Sequence, residues 1–298
     1  MRYLKLYPKY LKMALKSKLM YRADSFIGLL GLVFSNAATF LTLYLATLPV
    51  QSLGNWQFLN IMFLYGFLLL PMGFDHALTD RLWNYAGSLI NEGELDRILM
   101  KPLNPLFQMC AELFQEGGVG EMLLGVLFMC VSGPFLHLDM SFNVVFPLVI
   151  GALFSPLIYF SIKLFMMSIA FYNGRSLALM SGVYNMKEFG KYPVSIYHNG
   201  TVVGGIIYNL LLFVLPFGLV GYLPLSAQMF PGERIPLLWF SIPANNYLIM
   251  GLIIGVAIMQ TAIAYLFFLH SLKRYSSAGA CYLFAFWQWA YGSRGPSM

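Results

Sequence analysis

The chain has 298 residues, 59% of them hydrophobic and only 10% charged, with a mean hydropathy of +0.70. Soluble domains carry about 25% charged residues, so this composition excludes one and describes a polytopic membrane protein. The net charge of +6 is gathered at the N-terminus, which points to anionic lipid headgroups and away from nucleic acid.

At ~20 apolar residues per crossing, the length holds about six spans with short loops. Residues 1–22 carry seven bases (Arg2, Lys5, Lys9, Lys12, Lys16, Lys18 and Arg22) and no acid, interleaved with Leu, Tyr and Met, with Pro8 as an early breaker. This pattern predicts an amphipathic helix lying in the headgroup plane, with Lys5, Lys9, Lys12 and Lys16 on the membrane surface. The apolar run that follows is too long for a signal-peptide core. Residues 26–50 form the first span, without a charge. An outer loop with an interfacial Trp56 follows. The second span runs over 58–75, with Pro71 as a kink near its inner end.

Residues 76–106 form a cytoplasmic loop whose most charged part reads N-E-G-E-L-D-R-I-L-M-K-P-L-N-P-L-F from Asn91 to Phe107. Asn91 with Glu94 has capping-box spacing. Glu92 and Glu94 suit the first turn of a helix, and Arg97 and Lys101 the last. Pro102 stops it. The spacing predicts a helix of about three turns with Leu95, Ile98 and Leu99 on one face. It is either tucked against neighbouring loops or exposed as a docking element for a soluble partner.

Gln108, Glu112 and Glu116 share a helical face, so the third span enters the bilayer obliquely. Gly117, Gly118, Gly120 and Gly125 allow close approach to a neighbour. Glu121 is the deepest acid, which makes it a candidate for a transport path. Burial with a hydrogen-bond partner, or pairing with Lys163, are the structural alternatives. After an outer loop at 134–143 the fourth span covers 144–166, with Lys163 placed to snorkel towards the cytoplasm. The inner loop 172–200 contains Arg175, Lys187, Glu188 and Lys191. The Asn199 glycosylation sequon within it carries no meaning on the inner side. The fifth span is 202–222, with Pro216 inside. Residues 223–246 are too apolar for a solvated loop and too broken by proline to span. The sixth span, 247–269, has Gly251 and Gly255 at GxxxG spacing, and the aromatic tail 280–298 is too short to cross.

Of 18 Lys and Arg, 17 fall on one side of this six-span arrangement and Arg234 alone on the other, an asymmetry that sets both termini in the cytoplasm. Cys110, Cys130 and Cys281 have no metal-ligand spacing and are packing residues. His76, His137, His198 and His270 lie apart near span ends, as solvated residues and not as ligands. No phosphate-binding loop, zinc-protease motif or nucleophile elbow is present, so the chain cannot hydrolyse ATP by itself.

The stretch Gly93-Glu94-Leu95-Asp96-Arg97-Ile98-Leu99-Met100-Lys101-Pro102-Leu103-Asn104-Pro105-Leu106-Phe107 resembles the GELDxLLxRPxNPLF signature of a family of ABC type-2 exporter permeases, with Lys101 where that pattern usually has Arg. Residues 189–197 and 272–279 resemble the same family, and the similarity extends over 1–279. The resemblance implies that Gly93, Glu94, Leu95, Asp96, Arg97, Ile98, Leu99, Pro102, Asn104 and Pro105 form a coupling element that seats in a separate ATPase subunit, present in two copies. It also implies a second permease copy or a related permease, ATP and Mg held by the ATPase and no cofactor on this chain, and a bacterial inner-membrane location. The expected fold is all-α. An interfacial helix (1–22) precedes a six-span permease domain (23–279), which carries a re-entrant outer segment of paired short helices between spans five and six. The 280–298 tail follows. The exported compound is apolar or amphipathic at the level of the family. A membrane-embedded lipid-modifying enzyme, which would need a convergent polar cluster, and a passive channel remain the other readings.

Overall fold

The computed structural model describes residues 2–20, 22–48, 52–53, 55–198, 201–230, 232, 234–236 and 241–275. The aromatic tail, the 276–279 motif and Asn199 lie outside the described residues.

Helix α1 (Arg2–Met20) runs through Pro8 instead of breaking there. Pro8 is exposed in the second turn, where solvent or headgroups can take the one carbonyl its missing N–H would have bonded. Lys5, Lys9, Lys12 and Lys16 all lie on the exposed side of α1, since spacings of three and four share one helical face. Tyr3 and Tyr10 on the other side rest on Phe107, with ring centroids 4.8 and 6.3 Å away.

Helix α2 (Arg22–Thr47) is clipped to α3 (Phe58–Thr79) by Tyr65, whose hydroxyl donates to Asn36 Oδ1 at 2.7 Å. A short antiparallel ribbon, β1 (Ser52–Leu53) and β2 (Trp56–Gln57), joins them. The chain then forms α4 (Arg81–Asn84), a π-helical turn (Tyr85–Leu89), α5 (Glu94–Leu99) and α6 (Pro105–Ala111). The next helices are α7 (Glu116–Ser132), α8 (Phe142–Ser168) and α9 (Ala170–Asn173), and after them α10 (Leu177–Tyr184) and α11 (Val202–Asn209). Last come α12 (Phe217–Val220), α13 (Tyr222–Met229) and α14 (Asn246–Leu272).

Among the described residues, five helices are long and apolar enough to cross a membrane: Ser25–Thr47, Phe58–Thr79, Glu116–Phe135, Phe142–Asn173 and Asn246–Leu272. The expected fifth span, 202–222, is not one of them. Its apolar helix Val202–Val214 ends in a π-turn, where the Leu215 N–H bonds the Leu210 carbonyl at 2.8 Å. Pro216, with φ −71° and ψ 47°, then turns the chain into α12 and α13. These two short helices are buried, with Phe217, Val220, Leu223 and Leu225 inside the larger apolar core. The paired short helices expected over 223–246 are instead α13 followed by a hairpin, β3 (Arg234–Pro236) against β4 (Ser241–Pro243), Ile235 opposite Ile242. Pro236 and Pro243 have no N–H to give a ladder, and a two-stranded ribbon tolerates that where a wider sheet would not.

Helix α3 is the axis of the bundle. Gly66 and Gly73 on α3 face Gly125 and Gly118 on α7 one heptad apart. A Cβ added at Gly66 would lie 2.8 Å from the Gly125 carbonyl oxygen, and one at Gly125 would lie 2.6 Å from that of Gly66. Backbone meets backbone along this seam, the packing that substitutes for a hydrophobic drive inside lipid. Gly117 and Gly120 face Leu29 and Leu32 of α2, so all four glycines expected to meet a neighbour do so. Gly251 and Gly255 meet nothing within 4 Å.

Candidate functional site

Two groups of residues stand out at the end of the bundle where α3 leads into α4. The first is the 91–107 segment. Gly93 sits at the N-cap of α5 with φ +77°, a left-handed conformation that glycine adopts without strain, and no side chain caps the helix. The capping box expected from Asn91 and Glu94 therefore does not form. Asn91 turns instead towards Gly174, where an added Cβ would meet its side-chain oxygen at 2.8 Å. Helix α5 is six residues long and not three turns.

The expected apolar face splits. Leu95 and Ile98 are 0% exposed, whereas Leu99 is 42% and Met100 79% exposed. Leu95 and Ile98, three residues apart, both point inward to a second core that contains Leu82, Tyr85, Met109 and Leu164. One residue further, a rotation of about 100° carries Leu99 out of that core. The segment is thus not a free three-residue docking stripe: two of its three apolar residues are already covered by this chain.

Its frame is polar. The buried Gln108 donates from Nε2 to the carbonyls of Ile98 and Leu103, both at 3.3 Å. Asn104 Oδ1 accepts from the Phe107 N–H at 3.3 Å and Pro105 takes the first helical position, so the Asn-Pro pair is the start of α6. Asn104 Nδ2 also donates to the Tyr265 hydroxyl at 3.0 Å, and the Asn104 N–H donates to the Tyr3 hydroxyl at 3.2 Å. Glu112 accepts from Arg97 at 3.2 Å and from the Tyr85 hydroxyl at 3.3 Å, with Arg81 and Lys101 at 3.9 Å. Arg97 also reaches Glu94 at 3.0 Å. Burial pushes the neighbouring Cys110 thiol up to about 12, which keeps it in the unreactive form.

The second group is a chain of ionisable side chains across α3, α7, α8 and α10. Lys163 and Asp75 have fully buried side chains with Nζ and Oδ2 2.7 Å apart, and Lys163 also reaches Asp80 Oδ1 at 2.7 Å and Thr79 Oγ1 at 3.2 Å. Thr79 and Tyr184 both donate to the Asp75 carboxylate, at 2.6 and 2.8 Å. His76 Nδ1 lies 2.7 Å from Glu121 Oε2, and its Nε2 lies 3.1 Å from Lys187 Nζ. With Nδ1 donating to the carboxylate, Nε2 accepts from the ammonium, and it also lies 3.1 Å from the Tyr184 hydroxyl. Lys187 lies 4.2 Å above the Tyr184 ring. Its pKa is lowered to about 8, first by burial and then by the Lys163 charge.

Three expectations change here. Lys163 does not snorkel, because two carboxylates within 2.7 Å hold it better than a stretch towards water would. Glu121 pairs with His76 and not with Lys163. His76 is no solvated bystander; its side chain is 17% exposed. The sequence signal for the first of these was available: two acids, Asp75 and Asp80, about one and a half helical turns apart at the end of one span, and a lone lysine inside another span.

A family model described as ABC-2 family transporter protein matches residues 33–279. No curated protein and no solved structure matches the chain.

Proposed function

The chain belongs to the ABC-2 transporter family, and from that premise we propose that this multi-pass permease component works as one transmembrane half of an ATP-driven exporter. The other half is a second copy or a related permease, and two copies of a separate ATPase bind ATP and Mg. The compound moved is apolar or amphipathic. The membrane is the bacterial inner membrane and both termini are cytoplasmic, with the broken stretch 202–229 making the fifth of six crossings, the arrangement that keeps 17 of the 18 bases on one side.

The observation that carries the coupling reading is the exposed edge Leu99–Met100 on an otherwise pinned segment. Its frame ties this edge to three parts of the protein: to α14 through Tyr265, to α1 through Tyr3, and to α4 and the π-turn after it through Arg81 and Tyr85. ATP closes the ATPase pair, the ATPase surface presses on Leu99 and Met100, and the rigid frame passes the displacement to the spans. Moving a two-state permease from 1:99 to 99:1 takes about 5.5 kcal/mol of differential binding. Glu94, Asp96, Arg97 and Lys101 surround the apolar edge as a polar rim. Leu99→Asp with Met100→Asp should leave membrane levels and thermal stability unchanged. The same variant should weaken copurification of the ATPase and reduce transport to background. Full ATPase retention with wild-type transport would remove this role.

We assign Glu121 to a joint between α3 and α7 instead of to the transport path, because the His76 ring engages its carboxylate. The same cluster is what a membrane-embedded enzyme would need, but its charges face one another: Lys163 spans Asp75 and Asp80, and His76 spans Glu121 and Lys187. That pairing favours a structural joint over a reactive centre. The exposed Lys5, Lys9, Lys12 and Lys16 face holds α1 on anionic headgroups.

A further inference from the structure

A cavity of about 370 Å³ lies between α3, α7 and α8, within the size range of small-molecule sites. Fourteen of its fifteen lining residues are apolar. The buried Phe63, Phe67 and Pro156 form its floor, and the exposed Phe74, Val149 and Leu153 border its open side. Phe63 and Phe74 are eleven residues apart on one helix, which makes the hollow about 17 Å long. A second hollow of about 610 Å³ shares Phe63, Leu70, Met129, Leu138 and Met140 with it and extends it towards the 133–137 turn.

The one polar lining residue, Gln228, sits at the end nearest that turn. Its Nε2 donates to the Asp139 carbonyl at 3.3 Å, while its Oε1 is buried without a hydrogen-bond partner. Rotating the amide would set Oε1 against another acceptor, so the Asp139 carbonyl fixes the orientation. An acceptor out of water and without a donor is unfavourable, and the open space beside it is where a donor would come from. The hollow therefore has a long apolar body and a single acceptor at one end.

We propose that this cavity binds a single-chain amphiphile: the acyl or alkyl chain lies along α3 between α7 and α8, and a hydroxyl or amine in the head group donates to Gln228 Oε1. A bilayer-spanning protein meets such molecules from the side, and the border at Phe74, Val149 and Leu153 opens sideways between α3 and α8. This site rests on the transport reading and sharpens it, because it gives the exported compound an apolar subsite and one polar requirement.

The test uses the full chain with its ATPase in lipid vesicles, and as probes a long-chain alcohol carrying a diazirine in its chain and the methyl ether of the same alcohol. Photolabelling by the alcohol should map to peptides of α3, α7 and α8 and exceed labelling by the ether about five-fold, the effect of one hydrogen bond to a buried acceptor. Gln228→Leu should bring that ratio to about one while chain labelling persists. Ala152→Trp, or the milder Val149→Phe, should fill the hollow and remove most labelling. Equal labelling in wild type and both filled variants would overturn the site. So would a hollow that is labelled only after the assembly is dissociated, since a second copy of the chain would then be its occupant. ATP-dependent release of the alcohol is read in the same vesicles. Labelling without release would sink the transport reading and leave the site standing; release without labelling would do the reverse.

Discussion

The 91–107 segment and the Asp75–Lys163–His76–Glu121 cluster lie at the same end of the bundle and are held by opposite means. In the segment, Leu95 and Ile98 turn inward and the charged residues stay at the edge, with Arg97 more than half exposed. In the cluster, charges turn inward: Asp75 and Lys163 are both wholly buried. The difference follows from the surroundings. A segment facing water is stabilised by removing apolar surface from it. Between helices in lipid that drive is absent, and close backbone contact with paired polar groups takes its place. The Gly66–Gly125 and Gly73–Gly118 seam and the Lys163 ion pairs are two expressions of that rule on α3, one against α7 and the other against α8.

The contrast is sharpest when one partner of a buried pair is removed. Lys163→Met leaves Asp75 buried and unpaired, a loss of about 3–5 kcal/mol. It should sharply lower both thermal stability in detergent and the amount of protein in the membrane. Lys163→Met with Asp75→Leu should recover most of the loss, since neither charge remains to be desolvated. A single variant as stable as wild type would show that the buried pair contributes nothing to the fold. In the segment the sensitive residues are the apolar ones: Ile98→Ala should cost about 2–5 kcal/mol, whereas Leu99→Ala next to it should cost far less. Equal losses at the two positions, by thermal unfolding, would contradict the split of the apolar face.

Helix α1 uses a third means. At ~1 kcal/mol per base near an anionic surface, changing Lys5, Lys9, Lys12 and Lys16 to Gln should loosen α1 on the membrane without unfolding it. Faster proteolysis of residues 2–20 in anionic but not neutral liposomes is the expected result, and identical rates in both would exclude the lipid contact. The smallest effect belongs to Glu121. Glu121→Gln keeps an acceptor for the His76 N–H and removes only a charge, so stability should fall slightly and substrate-stimulated ATPase activity should hold. Loss of stimulation at unchanged stability would return Glu121 to the transport path.

Much of this was legible in the residues. Hydropathy predicted six crossings, and five of them are helices long and apolar enough to cross, because a run of ~20 apolar residues is a property of the run itself. The four α7 glycines and the α1 lysine face followed from spacing along one helix, and Pro102 marked the end of α5 for a local reason. Tertiary structure decided what depends on distant partners. Glu121 meets His76 across 45 positions and Lys163 meets Asp80 across 83, and no local pattern encodes which acid faces which base. The 3.6-residue period put Leu95, Ile98 and Leu99 on one broad face; only the neighbouring core, with Leu82, Tyr85 and Met109, divided it into two covered residues and one exposed. Pro216 was visible only as a proline inside the fifth apolar run; that it ends the helix, and where the chain goes after it, depended on the space beside α3 and α8 that Phe217, Val220 and Leu223 fill. Periodicity and composition are local and additive along a chain, whereas the pairing of buried charges and the filling of a core depend on which surfaces meet.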